Sequence, residues 1–334
     1  MLGLFDPIYI RGLSLKNRLV MPPMATGMAT EDGEVTDRHI KHYTTRARGG
    51  AGLIIIEHTY VSEDGKLSRA QTGIYDDRLI PSLKRLVEAI HAEGARVIIQ
   101  LNHGGAKAPR SITGNQPSGP WDIILGNGSE EPRPLTSPEI KTLVIKFGDA
   151  AYRAVEAGFD SVELHGAHGF LLCQFLSPYA NHRNDEYGGN LANRLRLPTE
   201  VIKEVKARLG ENMPLFYRFG ADDMIEGGLT RQEAKLAAQH LEQVGVDVID
   251  VSGGIGGDGQ RSFIEQGYFV PLAEGIKQVV KVPVIGVGNI TEPEYANRII
   301  REKKVDMVAI GRTLLSNPDF PKQAAQKLGI NIRH

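Results

Sequence analysis

The apolar residues of this chain fall into eight short runs, each closed by turn-forming or polar residues. They are RLVMPPM (18–24), GLIIIEH (52–58), RVIIQLN (96–102), DSVELHG (160–166), PLFYRFG (214–220), VDVIDVSGG (246–254), VPVIGVGN (282–289) and VDMVAIGR (305–312). Consecutive rather than alternate positions are apolar, the pattern of parallel strands covered on both faces. Between the runs lie amphipathic stretches with start and stop signals. Ser82–Glu93 ends at Gly94, and Ser137-Pro138-Glu139 opens a helix that closes at Ala157-Gly158. Thr230-Arg231-Gln232-Glu233 has capping-box form and runs toward Gly245, while Thr291-Glu292-Pro293-Glu294 opens another helix. Eight strand–helix units predict one α/β domain over residues 1–334, a closed (β/α)8 TIM barrel. An open doubly wound sheet fits less well, because no run is followed by G-x-G-x-x-G with an acidic residue about 20 positions on.

Composition narrows the partners. The 334 residues are 41% apolar and 24% charged with a net charge of −1, so no strong field invites nucleic acid or a membrane surface. A lone cysteine, Cys173, excludes an internal disulfide and a cysteine metal cluster, and suits the reducing cytoplasm. No stretch approaches the ~18 apolar residues of a membrane span, so a cytoplasmic location is expected. The longest irregular stretch, His103 to Thr136, carries the only tryptophan, Trp121, and follows the third strand. A loop that long is expected to be functional.

In a barrel the chemistry sits where strands end. The ends here carry Pro23-Met24-Ala25, Glu57-His58, Gln100 with Asn102 and His103, His165 with His168, Arg218, Ser252-Gly253-Gly254, Gly288-Asn289 and Gly311-Arg312. So many polar groups predict a polar ligand over the mouth. Gly288 and Gly311 allow close backbone approach, and with Arg312 in the eighth unit they predict a phosphate site. His165 and His168 lack a third ligand at matching spacing, and Glu163 is expected to face away from its neighbours, so a metal is disfavoured. The pair instead suits donation of ring N–H groups to a carbonyl or carboxylate oxygen.

LFDPIYIRGLSLKNRLVMPPM, GLIIIE, VIIQLNHGG, HGAHGFLLCQFLSPYANHRNDEYGG, LFYRFGADD and VGNITEP…VDMVAIGRTLLSNPDF together resemble the old yellow enzyme family of FMN-dependent ene-reductases. The likeness spans essentially the whole chain, and its most specific piece is the 165–189 block. The nearest branch looks like the one containing 2,4-dienoyl-CoA reductases and trimethylamine dehydrogenase. The resemblance implies FMN held non-covalently across the mouth, NADH or NADPH as reductant, and a small-molecule substrate with an electron-withdrawing group. By position it places Pro22, Pro23, Met24 and Ala25 against the flavin ring, with His58 among the cofactor-binding residues. Gln100 then meets the pyrimidine edge, Arg218 lies near N1 and O2, and Gly288, Asn289, Gly311 and Arg312 grip the phosphate. His165 and His168 would polarise the substrate C=C for hydride transfer from flavin N5. A homo-oligomer is expected.

Three departures qualify the resemblance. Phe170 stands where the family's proton-donating tyrosine is usual, so water or another acid, such as Tyr179 or Tyr187, would supply the proton. Ala25 stands where relatives often carry Cys or Thr. Larger relatives continue into an iron–sulfur cluster and further domains near Asn331–His334; both a single-domain protein and a missing extension remain open. Arg333 is read as a frayed tail in preference to a contributor to a partner subunit's site. Cys173 is expected to be a buried small hydrophobe, and Asn181–Glu186 a structural network. The main expectation is an FMN-dependent NAD(P)H oxidoreductase reducing enones or enoyl thioesters. Its rivals are an NADH oxidase or flavin dehydrogenase that needs no tyrosine, a flavin binder that has lost catalysis, and a non-redox phosphate-binding isomerase or lyase.

Overall fold

A computed structural model describes residues 2–125, 130–256 and 264–331. Its centre is a closed barrel of parallel strands: β1 (Leu19–Met21), β2 (Leu53–Tyr60), β3 (Arg96–Asn102), β4 (Ser161–Gly166), β5 (Leu215–Gly220), β6 (Val248–Ser252), β7 (Val284–Gly286) and β8 (Met307–Ala309), with β8 returning to pair with β1. All eight coincide with the apolar runs. A helix follows each strand: α1 (Asp37–Arg48), α2 (Ile80–Ala92), α3 (Ser137–Glu156), α4 (Arg196–Leu209), α5 (Arg231–Gln243), α6 (Val270–Lys277), α7 (Pro293–Arg301) and α8 (Phe320–Lys327). The expected (β/α)8 barrel is the observed fold. No helix among the described residues is long and apolar enough to cross a membrane.

Local signals set the helix ends. The capping box at Thr136 and Glu139 starts α3. At α5 only half of the expected box forms: Thr230 accepts from the Glu233 N–H, while the Glu233 carboxylate takes a bond from Arg194 at 2.6 Å. The outer row of each strand, such as Val162 and Leu164 of β4, packs on the helices in one large core. The inner row fills the barrel. Val20, Leu53, Ile55, Ile98, Phe216, Val248, Ile285 and Met307 form an apolar layer there. An antiparallel hairpin, Ile8–Ile10 with Leu13–Leu15, closes this layer from below through Ile10, Leu13 and Leu15. Its strands are only three residues long, too short to show a period in the sequence.

Above the apolar layer the inner row turns polar. Alternation puts Glu163 opposite Val162 and Leu164, but His165, two residues on, lies in the same inward row. Glu163 thus faces away from Val162 and Leu164, as expected, but not from His165: it sits in the barrel interior, fully buried, one step below that histidine. The long connection after β3 is partly ordered by the turn Gly105–Lys107, the short helix Arg110–Thr113, and the pairing of Ser118–Gly119 with Arg133–Pro134. Asn181 donates to the carbonyls of Phe175 (2.7 Å) and Tyr187 (2.8 Å), and Arg183 pairs with Asp185, the bracing network expected of that segment. Arg333 lies outside the described residues.

Candidate active site

The C-terminal mouth of the barrel holds a cavity of about 280 Å³. One wall is built from Pro22, Pro23 and Met24, where the chain leaves β1. Two prolines fix this segment locally, and Glu57 fixes its continuation. The Glu57 carboxylate accepts from the Thr26 N–H, the Thr26 hydroxyl (2.9 Å), the Thr72 hydroxyl (2.8 Å) and His39 Nε2 (3.0 Å). Burial alone would raise the Glu57 pKa, but the His39 partnership and these donors hold it below the usual value. Sequence reading had marked Glu57 only as a strand end. Ala25 is exposed beside this wall and does not line the cavity itself.

The opposite end carries Asn289, Gly311 and Arg312, brought together from the ends of β7 and β8. Gly288 has φ +131°, and a Cβ there would come within 2.9 Å of the backbone nitrogens of Tyr268 and Phe269. Only glycine fits, and it lets those two rings close the cavity, which they line. The Asn289 amide donates to the Ile264 carbonyl at 2.5 Å. Arg312 is exposed on the wall, a cation available to an anionic group.

The floor is charged. Arg218 of β5 lines the cavity, and its Nη1 donates to Asp250 Oδ2 of β6 at 2.5 Å. Its Nε is buried with no protein partner. Beside it, Gln100 of β3 donates through Nε2 to Glu163 Oε1 at 2.8 Å. The strand register dictates both contacts, for Gln100 is level with Glu163 and Arg218 with Asp250. Gln100 is 1% exposed and does not line the cavity, so it acts from the barrel interior.

The histidines are bonded to each other. His165 Nε2 lies 3.0 Å from His168 Nδ1, and His168 Nε2 lies 2.8 Å from the Ser252 hydroxyl. His168 lines the cavity, whereas His165 is buried behind it. Both are neutral imidazoles: burial, then the charges of Arg218 and Lys107, lowers His168 to about 3, and burial with neighbouring His168 drives His165 well down. The chain turns sharply here, with φ of +60° at His168 and +70° at Gly169. Left-handed backbone at a histidine is uncommon, and Lys107 holds it by donating from Nζ to the His168 carbonyl (2.9 Å) and the Ile255 carbonyl (3.2 Å).

Phe170 packs edge-on against His165, with ring centroids 4.7 Å apart, and lies 5.9 Å from the His58 ring. His58 stays outside the cavity lining. Gln71 takes the Leu67 N–H on Oε1, so its Nε2 must donate to His58 Nδ1 at 2.8 Å, leaving His58 neutral with the proton on Nε2. Tyr187, one of the alternative acids, is turned away: its hydroxyl donates to Glu200 Oε2 of α4 at 3.0 Å. Tyr179 packs with the small cluster around Ala106, Cys173 and Ile255 and does not line the cavity. Cys173 is buried, and burial pushes its thiol up to about 12, so it is inert.

These features fit a flat, polar cofactor with an anionic tail, and the sequence profile of the NADH:flavin oxidoreductase / NADH oxidase family matches residues 3–331. The chain belongs to that family. The chain is 46% identical to the NADH oxidase of Thermoanaerobacter brockii over 99% of its own length, and spans only 52% of that relative. It is 41% identical to the NADPH dehydrogenase of Listeria innocua, covering 98% of the chain and 96% of the relative. Among solved structures, 2-naphthoyl-CoA reductase superimposes with a TM-score of 0.93 at 28% identity, covering 97% of this chain and 52% of that one. The old yellow enzyme homologue of Zymomonas mobilis gives 0.86 at 28% identity, covering 99% and 94%. The resemblance read from the motifs is thus the family found, with FMN as its cofactor and a nicotinamide as reductant. That family replaces the non-redox isomerase or lyase alternative.

The residues present fit FMN. A buried guanidinium with an unpartnered Nε suits the electron-rich pyrimidine edge of a flavin, and an exposed arginine beside close-approach glycines suits its phosphate. Asp250, Ser252, Tyr268 and Phe269 belong to this site and were not singled out as site residues from sequence. Ser252 was visible as a strand end. Asp250 shows in the sequence as a charge inside an apolar run.

Proposed function

We propose that this oxidoreductase reduces a C=C bond conjugated to a carbonyl, in an enone or an enoyl thioester, at the expense of NADH or NADPH. FMN, when bound, supplies the hydride. The protein supplies the rest. Arg312, with the backbone at Gly288, Asn289 and Gly311, holds the phosphate. Arg218 offsets negative charge at the pyrimidine edge, where a permanent cation on a rigid strand costs no reorganisation. Gln100 has given its Nε2–H to Glu163, and its Oε1 is the group left for a ring N–H.

The observation that carries the reading is the neutral His165–His168–Ser252 chain, which presents His168 at the cavity wall beside Arg218. His168 Nε2 rests on the Ser252 hydroxyl, and a carbonyl oxygen that takes that hydroxyl's place would receive a hydrogen bond from an imidazole already oriented by His165. The solved complex of 2-naphthoyl-CoA reductase with its thioester supports the thioester class.

Phe170 favours a second reading, oxidation of NADH without an alkene, because no hydroxyl stands where the proton donor is expected. The name of the Thermoanaerobacter relative agrees with it. Anaerobic turnover decides between them. With NADH or NADPH, formation of saturated product from cyclohexenone or an enoyl-CoA supports the first reading. Nicotinamide consumption only when oxygen is admitted overturns it in favour of the second.

A further inference from the structure

Beneath the cavity, the barrel interior holds two carboxyl groups and one guanidinium. Glu163 and Asp250 are both 0% exposed, and Arg218 is 5% exposed. Each acid has one oxygen accounted for: Glu163 Oε1 accepts from Gln100 Nε2, and Asp250 Oδ2 accepts from Arg218 Nη1. The other two oxygens, Glu163 Oε2 and Asp250 Oδ1, are buried and meet no N–H or O–H donor. Two bare carboxylate oxygens buried in the barrel would each lose bulk hydration, and the two charges would repel. One proton placed between them satisfies both oxygens at once.

We propose that Glu163 and Asp250 share a single proton, held mainly on Glu163, and that Glu163 is a positioning residue keeping the Arg218 cluster electrically neutral. With Glu163 protonated, Asp250 ionised and Arg218 charged, the cluster sums to zero. With both acids ionised it would carry −1 directly below the site, opposing any negative charge that Arg218 is placed to stabilise. The groups facing Glu163 are Gln100 from β3, Arg218 from β5 and Asp250 from β6. Electrostatics agrees with the geometry: burial first, then the neighbouring Asp250, raises Glu163 well above the ordinary carboxylate value, against the opposing pull of Arg218. Asp250 is raised less plainly, since burial is countered by direct contact with Arg218. The proton therefore resides on Glu163, which donates to Asp250 while accepting from Gln100.

The pairing depends on barrel closure. Glu163 is level with Phe216 of β5, and Asp250 with Arg218, so the acids come from the strands on either side of β5, and their side chains are hydrogen-bonding neighbours. A small residue in either place would leave a buried orphan.

Two measurements test this, one of which needs no flavin. In the infrared spectrum of the apoprotein at neutral pH, one protonated-carboxyl C=O stretch should shift on labelling glutamate with carboxyl 13C and vanish in Glu163→Gln. Absence of such a band, or a band insensitive to glutamate labelling, overturns the proposal even if Glu163→Gln cannot be folded. In the FMN-loaded enzyme, Glu163→Gln should leave the flavin midpoint potential unchanged, because an amide replaces a neutral acid and donates to Asp250 in its place. The double variant Glu163→Gln/Asp250→Asn should raise the potential, because Arg218 then has no counter-charge. A rise already present in Glu163→Gln alone would show that Glu163 is ionised, and would overturn the proposal. Neither measurement uses an alkene, so failure of the C=C reading leaves both interpretable. The infrared arm also survives a failure to load FMN.

Discussion

Phe170 meets the ring of His165 edge-on at 4.7 Å, at the position where the resemblance to old yellow enzymes implies a proton-donating tyrosine. Phe170 is only partly buried, so a hydroxyl added to its ring could reach solvent or substrate. Phe170→Tyr is expected to speed the reaction of pre-reduced enzyme with cyclohexenone by part of the roughly 10²–10⁴-fold that general acids contribute, while reduction by NAD(P)H stays unchanged. Single-turnover stopped-flow separates the two half-reactions. A mutant no faster than wild type in the enone step would count against a missing acid and for the oxidase reading.

Arg312 is the exposed cation proposed to hold the phosphate. Arg312→Ala should weaken FMN retention by about 1.5–3 kcal/mol for each charge-assisted bond lost, roughly 10- to 150-fold in Kd. Fluorescence titration of apoprotein with FMN measures this. Equal affinity in mutant and wild type would remove Arg312 from the phosphate site.

Besides its proposed place beside the flavin, Arg218 is the counter-charge of the fully buried Asp250. Arg218→Ala should therefore cost about 3–5 kcal/mol of stability, the usual penalty for leaving a buried charge unpaired. Adding Asp250→Asn should recover most of that loss, since it removes the stranded charge. Urea unfolding of the single and double apoprotein variants tests the pairing. Additive losses would show that the two residues act independently.

His168 gives stability a pH signature. Its folded pKa lies near 3 and its unfolded value near 6.5. Below pH 6.5 the unfolded chain binds a proton that the folded chain refuses. Stability from this group is therefore complete above pH 6.5 and falls as pH drops toward 3, by at most about 1.4 kcal/mol per pH unit. Buried His165 acts with the same sign. Urea midpoints at pH 7 and pH 5 should differ more for wild type than for His168→Asn, which cannot titrate. Equal differences would mean that His168 is free to protonate in the folded protein.

The order of the chain made the barrel legible, because strand and helix periods are local properties. The run GLIIIEH marks β2, and Ser137-Pro138-Glu139 marks the start of α3, without reference to any distant residue. The strand ends pointed to Arg218, His168 and Arg312 for the same reason: once a run is known to be a barrel strand, its last residues must lie at the mouth. Three-residue strands such as those of the Ile8–Leu15 hairpin carry too few positions to show a period, and only packing under the barrel makes them strands.

The sequence alone therefore determined the barrel, through short-range pattern, and the family, through the resemblance of its motifs. Tertiary structure decided which side chains face each other: that His165 is spent on His168, that Tyr187 turns to Glu200, and that Glu163 meets Asp250. Those contacts are set by strand register and ring closure, and a one-residue shift in register would send each of these side chains to the other face. Alternation could say that Glu163 opposes Val162 and Leu164. Only the closed barrel could say that the inner face contains another acid.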